Sequence, residues 1–323
     1  MSTTLRIGSR GSKLALWQAN HIADRLRSHG HTVEIEIIRT TGDRMQDPNF
    51  VPPASFDGAS LDSKGIFIKE IEEALADGRI DLAVHSLKDL PTQLEERFAI
   101  TATPERADAR DAFVCEPYWA LHTLPMYARV GTTSPRRQAQ LLALRPDLEF
   151  VETRGNIDTR LRKLAEGQCD ALVLAAAGLD RIGRTENVHQ RFAYDELCPA
   201  PGQGALAIET RSPQHPLATD TSSRDAEVHA AARALNHPIT EFAITVERTV
   251  LHALGGGCQL PVGAFCHQLS SGNWHLHTQV VAQDGDQVIT AITEASPSSS
   301  AAELGEWAAR ELERQGALAL LGR

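Results

Sequence analysis

Five of the 323 residues are cysteine, an odd count, and no two of them have Cys-x-x-Cys spacing. That argues against a disulfide framework and against a structural zinc site, and no metal is expected. Cys115, Cys169, Cys198 and Cys266 carry no local signal of reactivity and read as small buried residues. No apolar run approaches the length of a membrane span, so no membrane partner is expected. The opening segment, Met1-Ser2-Thr3-Thr4-Leu5-Arg6, lacks the apolar core of a secretory signal, and a cytoplasmic address is the expectation. Positive charge is scarce: the formal net charge is −10, which repels polyanions. Aromatic residues do not interleave with the basic ones between Arg136 and Lys163, so no nucleic-acid partner is expected. Neither Gly-x-Gly-x-x-Gly nor a P-loop occurs, which disfavours nucleotides. There is no repeat at fixed spacing, and the one low-complexity tract is the short run Ser296–Ser300. With no long exposed apolar stripe to suggest an obligate partner, a monomer is expected.

What is present is an alternation of strands and helices. Leu5 to Gly8 reads as a strand. Ser12 can cap a helix carrying Leu14, Leu16, Trp17, Ile22 and Leu26, stopped by Gly30, with Trp17 expected in the core. Val33, Ile35 and Ile37 alternate with Glu34 and Glu36, the period of a strand. Gly42 to Gly65 has no periodicity and reads as one long loop. A helix over Ile66–Ala76 leads into the strand Leu82-Ala83-Val84. The pattern restarts after Asp108, with strands at 112–115, 129–131, 148–151 and 171–174 and helices at 135–144 and 157–165. Ala205–Ile208 is a late strand that could return to the first lobe. The last third changes character: helices at 223–235 and 240–254, strands at 262–267, 274–281 and 288–294, and a helix at 299–315. The expectation is an α/β protein of two lobes with mixed, mostly parallel sheets, plus a small C-terminal α+β domain. The boundaries are 1–104 with about 203–236, then 105–202, then 237–323.

The strand Leu82-Ala83-Val84 ends in a polar cluster of His85, Ser86, Lys88 and Asp89. Open α/β sheets place their chemistry beyond the carboxyl ends of the strands. Asp89 is therefore the candidate catalytic carboxylate and Lys88 a partner for substrate charge; a solvated loop with an ordinary salt bridge is the alternative. Gly131-Thr132-Thr133-Ser134-Pro135-Arg136-Arg137 puts two arginines and hydroxyl groups at a helix start, where free N–H groups favour anions. Arg154-Gly155-Asn156-Ile157-Asp158-Thr159-Arg160 repeats the arrangement one unit later, and Arg10 marks a third such junction. Three arginine-bearing junctions point to a cleft for a ligand rich in carboxylates or phosphates. Gly255-Gly256-Gly257-Cys258 offers a thiol on a backbone free to enter positive φ; a helix cap followed by a small buried residue is the alternative. His275 and His277 share a strand face but lack a third ligand nearby.

These stretches occur together in one family. The chain resembles the porphobilinogen deaminases (hydroxymethylbilane synthases) in Arg6-Ile7-Gly8-Ser9-Arg10 with Leu14-Ala15-Leu16-Trp17-Gln18, in Ala83 through Asp89, and in Gly131 through Arg137. It also does so in Arg154-Gly155-Asn156 with Thr159-Arg160, Pro201-Gly202-Gln203-Gly204, Ala234-Leu235-Asn236-His237 and Gly256-Gly257-Cys258. The resemblance implies two periplasmic-binding-protein-like lobes with the small domain bearing the cysteine. It implies head-to-tail condensation of four porphobilinogen molecules, with loss of ammonia, on a covalently attached dipyrromethane cofactor. Cys258 matches the attachment cysteine and Asp89 the catalytic aspartate. Arg10, Lys88, Arg136, Arg137, Arg154 and Arg160 match carboxylate-binding residues, with Ser12, Ser86, Thr132 and Ser134 as hydroxyl partners. Lys64 matches a lysine of the family's lid, although Asp62-Ser63 and the long insert Met45–Leu61 depart from it. Pro135 and Gly255 also stand where other residues are usual.

Overall fold

Ser12, three residues past the end of the first strand, starts the first helix, its hydroxyl accepting from Ala15 N at 3.3 Å. The computed structural model describes residues 4–44, 67–116, 118–213, 223–257 and 259–323. In chain order, β1 (Leu5–Ser9), α1 (Lys13–Ser28), β2 (Val33–Ile37), the single turn α2 (Thr41–Arg44), α3 (Lys69–Ala76), β3 (Leu82–Ser86) and β4 (Phe98–Ala102) come first. Next are β5 (Asp111–Val114), β6 (Arg129–Gly131), α4 (Pro135–Leu144), β7 (Glu149–Val151), α5 (Ile157–Ala165), β8 (Ala171–Ala175), α6 (Ala176–Arg181) and β9 (Gln190–Arg191). The remainder is β10 (Leu206–Arg211), α7 (Ser223–Arg233), α8 (Pro238–Ala253), β11 (Val262–Gln268), β12 (Trp274–Val281), β13 (Val288–Ala295), α9 (Ala301–Arg314) and α10 (Ala317–Leu320).

The chain divides into two compact units, Met1–Glu105 with Leu206–Glu241 and Arg106–Ala205 with Phe242–Arg323. The first unit's sheet has the order β2-β1-β3-β10-β4. β2, β1 and β3 are parallel, while the late strand β10 runs antiparallel between β3 and β4. One sheet face packs Leu5, Ile7, Leu82, Val84, Leu206 and Ile208 against α1 and α7. The other packs Ala83 against Ile71, Ala74 and Leu75 of α3. Burying each such Leu or Ile contributes roughly 1.5–3 kcal/mol, which fixes which face each strand residue takes. Trp17 departs from expectation: it is 38% exposed and stacks on His21, with ring centres 5.0 Å apart.

The second unit repeats the plan with the order β7-β6-β8-β5-β9. β7, β6 and β8 are parallel, and β5 is antiparallel to β8 and β9. In each sheet one strand, β10 or β5, runs against the other four, so both are mixed and mostly parallel, as expected. The same unit holds the antiparallel sheet β11-β12-β13, with its own core against Val246, Val250 and Leu254 of α8 and Leu304, Ala308 and Leu312 of α9. Fully buried Glu247 ties this part to the rest of its unit. Its carboxylate accepts from Arg106 Nη1 at 2.6 Å, Gly202 N at 2.7 Å and Cys266 N at 2.8 Å. Among the described residues no helix is long and apolar enough to cross a membrane.

Candidate active site

Parallel strands deliver their carboxyl ends to one edge of a sheet, and the residues singled out above lie at such ends. In the first unit β1 and β3 are neighbours, with Ile7 opposite Leu82 and Gly8 opposite Ala83. Arg10 and Ser12 follow β1; Ser86, Lys88 and Asp89 end or follow β3. β3 runs directly into a 3-10 turn, Leu87–Asp89. Leu87 and Leu90 are buried, Lys88 is half-buried and Asp89 is exposed, so two apolar plugs hold the turn that presents the carboxylate. Ser86 Oγ accepts from Gln18 Nε2 of α1 at 2.8 Å. On the opposite sheet face, His85 Nε2 lies 2.9 Å from Glu209 Oε2.

Arg10 already has a counter-ion. Its Nε lies 3.0 and 3.2 Å from the two oxygens of Asp43, and its guanidinium sits 4.1 Å from the centre of the Phe67 ring. Burial works against ionisation of Asp43, but hydrogen bonds from Arg10 and Thr40 outweigh it and hold the carboxyl below its usual range. Asp43 falls in the stretch read as loop, where α2 forms instead. The available signal was Thr40-Thr41-Gly42-Asp43, the small hydroxyl and acidic residues of a self-capped turn.

In the second unit β6 and β7 pair with Gly131 opposite Val151, which brings the two arginine-bearing junctions to one edge. Thr132 is buried and its hydroxyl accepts from Ser134 N at 3.2 Å. Ser134 caps α4, accepting from Arg137 N at 3.4 Å, and Pro135 takes the first helical position, where its missing N–H has no partner to lose. Asn156 caps α5, accepting from Thr159 N at 2.9 Å. Arg154 is exposed and pairs with Glu152; Arg160 Nε donates to Gly155 O at 2.9 Å.

Arg136 and Arg137, expected to line a cleft for anions, are both buried, with Asp111 as a shared counter-ion. Arg136 Nη2 reaches Asp111 Oδ2 at 2.7 Å and Arg137 Nε reaches Oδ1 at 2.9 Å. Gln203 Nε2 adds a third donor at 3.0 Å, and Arg136 Nη1 donates to Cys198 O at 2.6 Å. Burial alone would raise the Asp111 carboxyl, but the two guanidiniums hold it down at about 2. Burial lowers Arg136 from its ordinary value, against the pull of Asp111. The missed signal is an acid, Asp111, placed directly ahead of the apolar strand residues Ala112, Phe113 and Val114. Two guanidiniums against one carboxylate leave one positive charge in excess, and Arg136 Nε is buried with no hydrogen-bond partner among the described residues. With exposed Arg154 at the adjacent strand end, this edge fits a group that brings carboxylates.

Cys258 and Lys64 lie outside the described residues. Before Cys258, Gly255, Gly256 and Gly257 have φ of 104°, 64° and 104°, the left-handed backbone that three glycines permit. Gly256 N donates to Leu251 O at 2.8 Å, so the glycines also close α8. The other four cysteines are buried, as expected.

Residues 5–219 match the family model "Porphobilinogen deaminase, dipyromethane cofactor binding domain", and residues 242–314 match "Porphobilinogen deaminase, C-terminal domain". The porphobilinogen deaminase of Chromobacterium violaceum is 44% identical over 317 residues, covering 98% of this chain and 96% of that protein. The one from Roseiflexus sp. (strain RS-1) is 46% identical over 323 residues, covering 99% of each. Among solved structures, the methionine binding protein MetQ is 14% identical, covering 71% of this chain and 89% of that one with a TM-score of 0.41. With both domain models matched in order and relatives alike over nearly the whole length, the chain belongs to the porphobilinogen deaminase family.

Proposed function

We propose that Asp89 is the catalytic carboxylate of this chain and that Cys258 carries the family's dipyrromethane cofactor through a thioether. As a member of the family the chain is a transferase, a hydroxymethylbilane synthase of tetrapyrrole biosynthesis, with porphobilinogen as substrate. It joins four porphobilinogen molecules head to tail, releasing ammonia. The observation that carries the assignment of Asp89 is its place: an exposed carboxylate on a turn anchored by buried Leu87 and Leu90 at the end of β3.

When bound, the dipyrromethane group supplies the primer to which the pyrroles are joined. Loss of ammonia leaves positive charge on the porphobilinogen ring. Asp89, beside the pyrrole N–H, stabilises that charge and can take up or return a proton there. Lys88 holds the negative side chains of the same ring. Arg154 and Arg160 bind further acetate and propionate groups, Arg10 does so while sharing its charge with Asp43, and Arg136 and Arg137 contribute the excess positive charge beside Asp111. Ser12 and Ser134 accept backbone N–H groups as helix caps, yet each hydroxyl retains its own hydrogen to donate to a carboxylate. Thr132 and Ser86 are placed for the same task, and Lys64 would belong to the lid.

Intact mass tests the attachment. The active protein should be heavier than its sequence by two pyrrole units, and Cys258→Ser should lack the excess; an unmodified mass in an active preparation would overturn the assignment. Asp89→Asn should nearly abolish ammonia release with the fold and the attached mass intact, and near-normal turnover would refute its role. The formal charge of −10 supports two companion expectations, a monomer and no nucleic-acid partner, and a third proposal is a cytoplasmic address. Light scattering and polynucleotide retention at low salt check the first two, and fractionation of cells checks the third.

A further inference from the structure

The carboxyl end of β3 is gripped from both faces of its sheet. On the α1 side, Gln18 Nε2 donates to Ser86 Oγ at 2.8 Å. On the α3 side, His85 Nε2 lies 2.9 Å from Glu209 Oε2. That second contact runs diagonally between strands, because His85 stands opposite Ala207 and Glu209 opposite Ala83. Ser86 opposite Leu206 is the last pairing of the two strands, and the Leu87–Asp89 turn begins at the next residue.

The pair is costly to keep. Glu209 is fully buried and His85 is 8% exposed. Glu209 Oε1 has no hydrogen-bond partner among the described residues. A well-packed apolar pair would hold two strands together as well or better, since taking charges out of water is unfavourable. A polar pair retained at this place points to a need for direction rather than for adhesion. A hydrogen bond fixes the orientation of the groups it joins, which an apolar contact does not.

We propose that His85 and Glu209 are positioning residues for the reaction: their bond sets the direction in which β3 delivers the Leu87–Asp89 turn, and so the placement of Asp89. This rests on Asp89 being the catalytic carboxylate. Glu72 of α3 interacts electrostatically with both members of the pair, and Glu95 and Arg97, ahead of β4, act on Glu72 in turn. Burial first, then Glu209 and Glu95, push the Glu72 carboxyl up to about 7. Glu72 thus carries its proton through mildly acidic conditions and spares Glu209 a second repelling charge beside it.

Glu209→Gln and His85→Gln test the bond from its two ends, with Glu209→Gln conserving volume. Each should lower kcat for ammonia release about tenfold or more while KM stays within about twofold, because the interaction serves the reacting geometry and not carboxylate binding. The double variant should be no worse than the poorer single one, since both act through one bond. Hydrogen exchange of the Leu90 amide, which donates to Leu87 O at 3.1 Å, should quicken in both while the amides of α1 keep their rates. Normal kcat with normal Leu90 exchange in the folded single variants would overturn the proposal, as would losses that multiply in the double variant. Should one variant fail to fold, the other still reads the same bond. Asp89→Asn separates the two levels: if it turns over normally, the role of Asp89 falls. If it is inactive while the pair variants behave as the parent, only the positioning role falls.

Discussion

Asp111 holds two arginines with one carboxylate, and its own charge is what keeps them inside. Its folded carboxyl titrates near 2, below its ordinary value of 3.8. A depressed carboxyl contributes stability that is complete above about pH 4 and is lost as pH falls toward 2, a contribution on the order of 2 kcal/mol. Acid unfolding followed by circular dichroism should therefore show a limb in that window that Asp111→Asn lacks. At neutral pH the same variant should lose roughly 3–5 kcal/mol in urea, because two buried guanidiniums remain without an anion. Glu72 behaves in the opposite sense. Its folded value of about 7 lies above the ordinary 4.5, so the folded protein binds the extra proton and stability declines as pH rises through that window. Glu72→Gln should gain on the order of 1 kcal/mol at pH 8, since the group is partly solvated, and nothing at pH 4; thermal melts at the two pH values check this. The arginines of this chain were legible as residues but their partners were not. Arg136, Arg137 and Arg10 announce themselves by position at strand–helix junctions, whereas Asp111 and Asp43 are distant in sequence and are chosen by the packing.

Elements were legible where their boundaries carry chemistry. α4 and α5 run over the residues expected of them because Ser134 with Pro135, and Asn156, give unambiguous starts. β4 and α6 escaped notice for physical reasons. β4 joins the first sheet through its antiparallel pairing with β10, so nothing before it in the chain signals its register. α6 follows β8 with no intervening residue, so the apolar strand pattern runs on into Ala176 and Ala177. The boundary that matters for the candidate site is the one at Gly155, whose φ is 115°. A Cβ there would lie 2.7 Å from Thr159 Cγ2. Gly155→Ala should cost about 1–3 kcal/mol through this strain, seen as a lower urea midpoint. It should also raise KM for porphobilinogen more than it lowers kcat, because Arg154 precedes the altered residue and Arg160 donates to its carbonyl.

At the scale of the whole molecule the chain passes between its two units three times, after Glu105, Ala205 and Glu241. A two-lobed division was legible from the restart of the strand–helix pattern after Asp108. The late strand was also visible in the sequence, but its position at the inside of the first sheet was not, since hydrophobic period reports burial and not neighbour order. Glu247 likewise reads as an ordinary helix glutamate, one of two in α8, although it anchors Arg106, Gly202 and Cys266 at once. The insertion of β10 between β3 and β4 has a consequence during synthesis. Residues 1–105 leave the ribosome with a gap where a strand belongs, and β4 has no ladder to join until residue 211 has been made. At about 5–20 residues per second, that wait lasts roughly 5–20 s. An isolated 1–105 fragment should therefore show no cooperative melt, while adding a peptide that spans Leu206–Arg211 and α7 should restore one. For that interval the nascent chain exposes two unpaired strand edges, and it is then, rather than after folding, that the protein has most need of a chaperone.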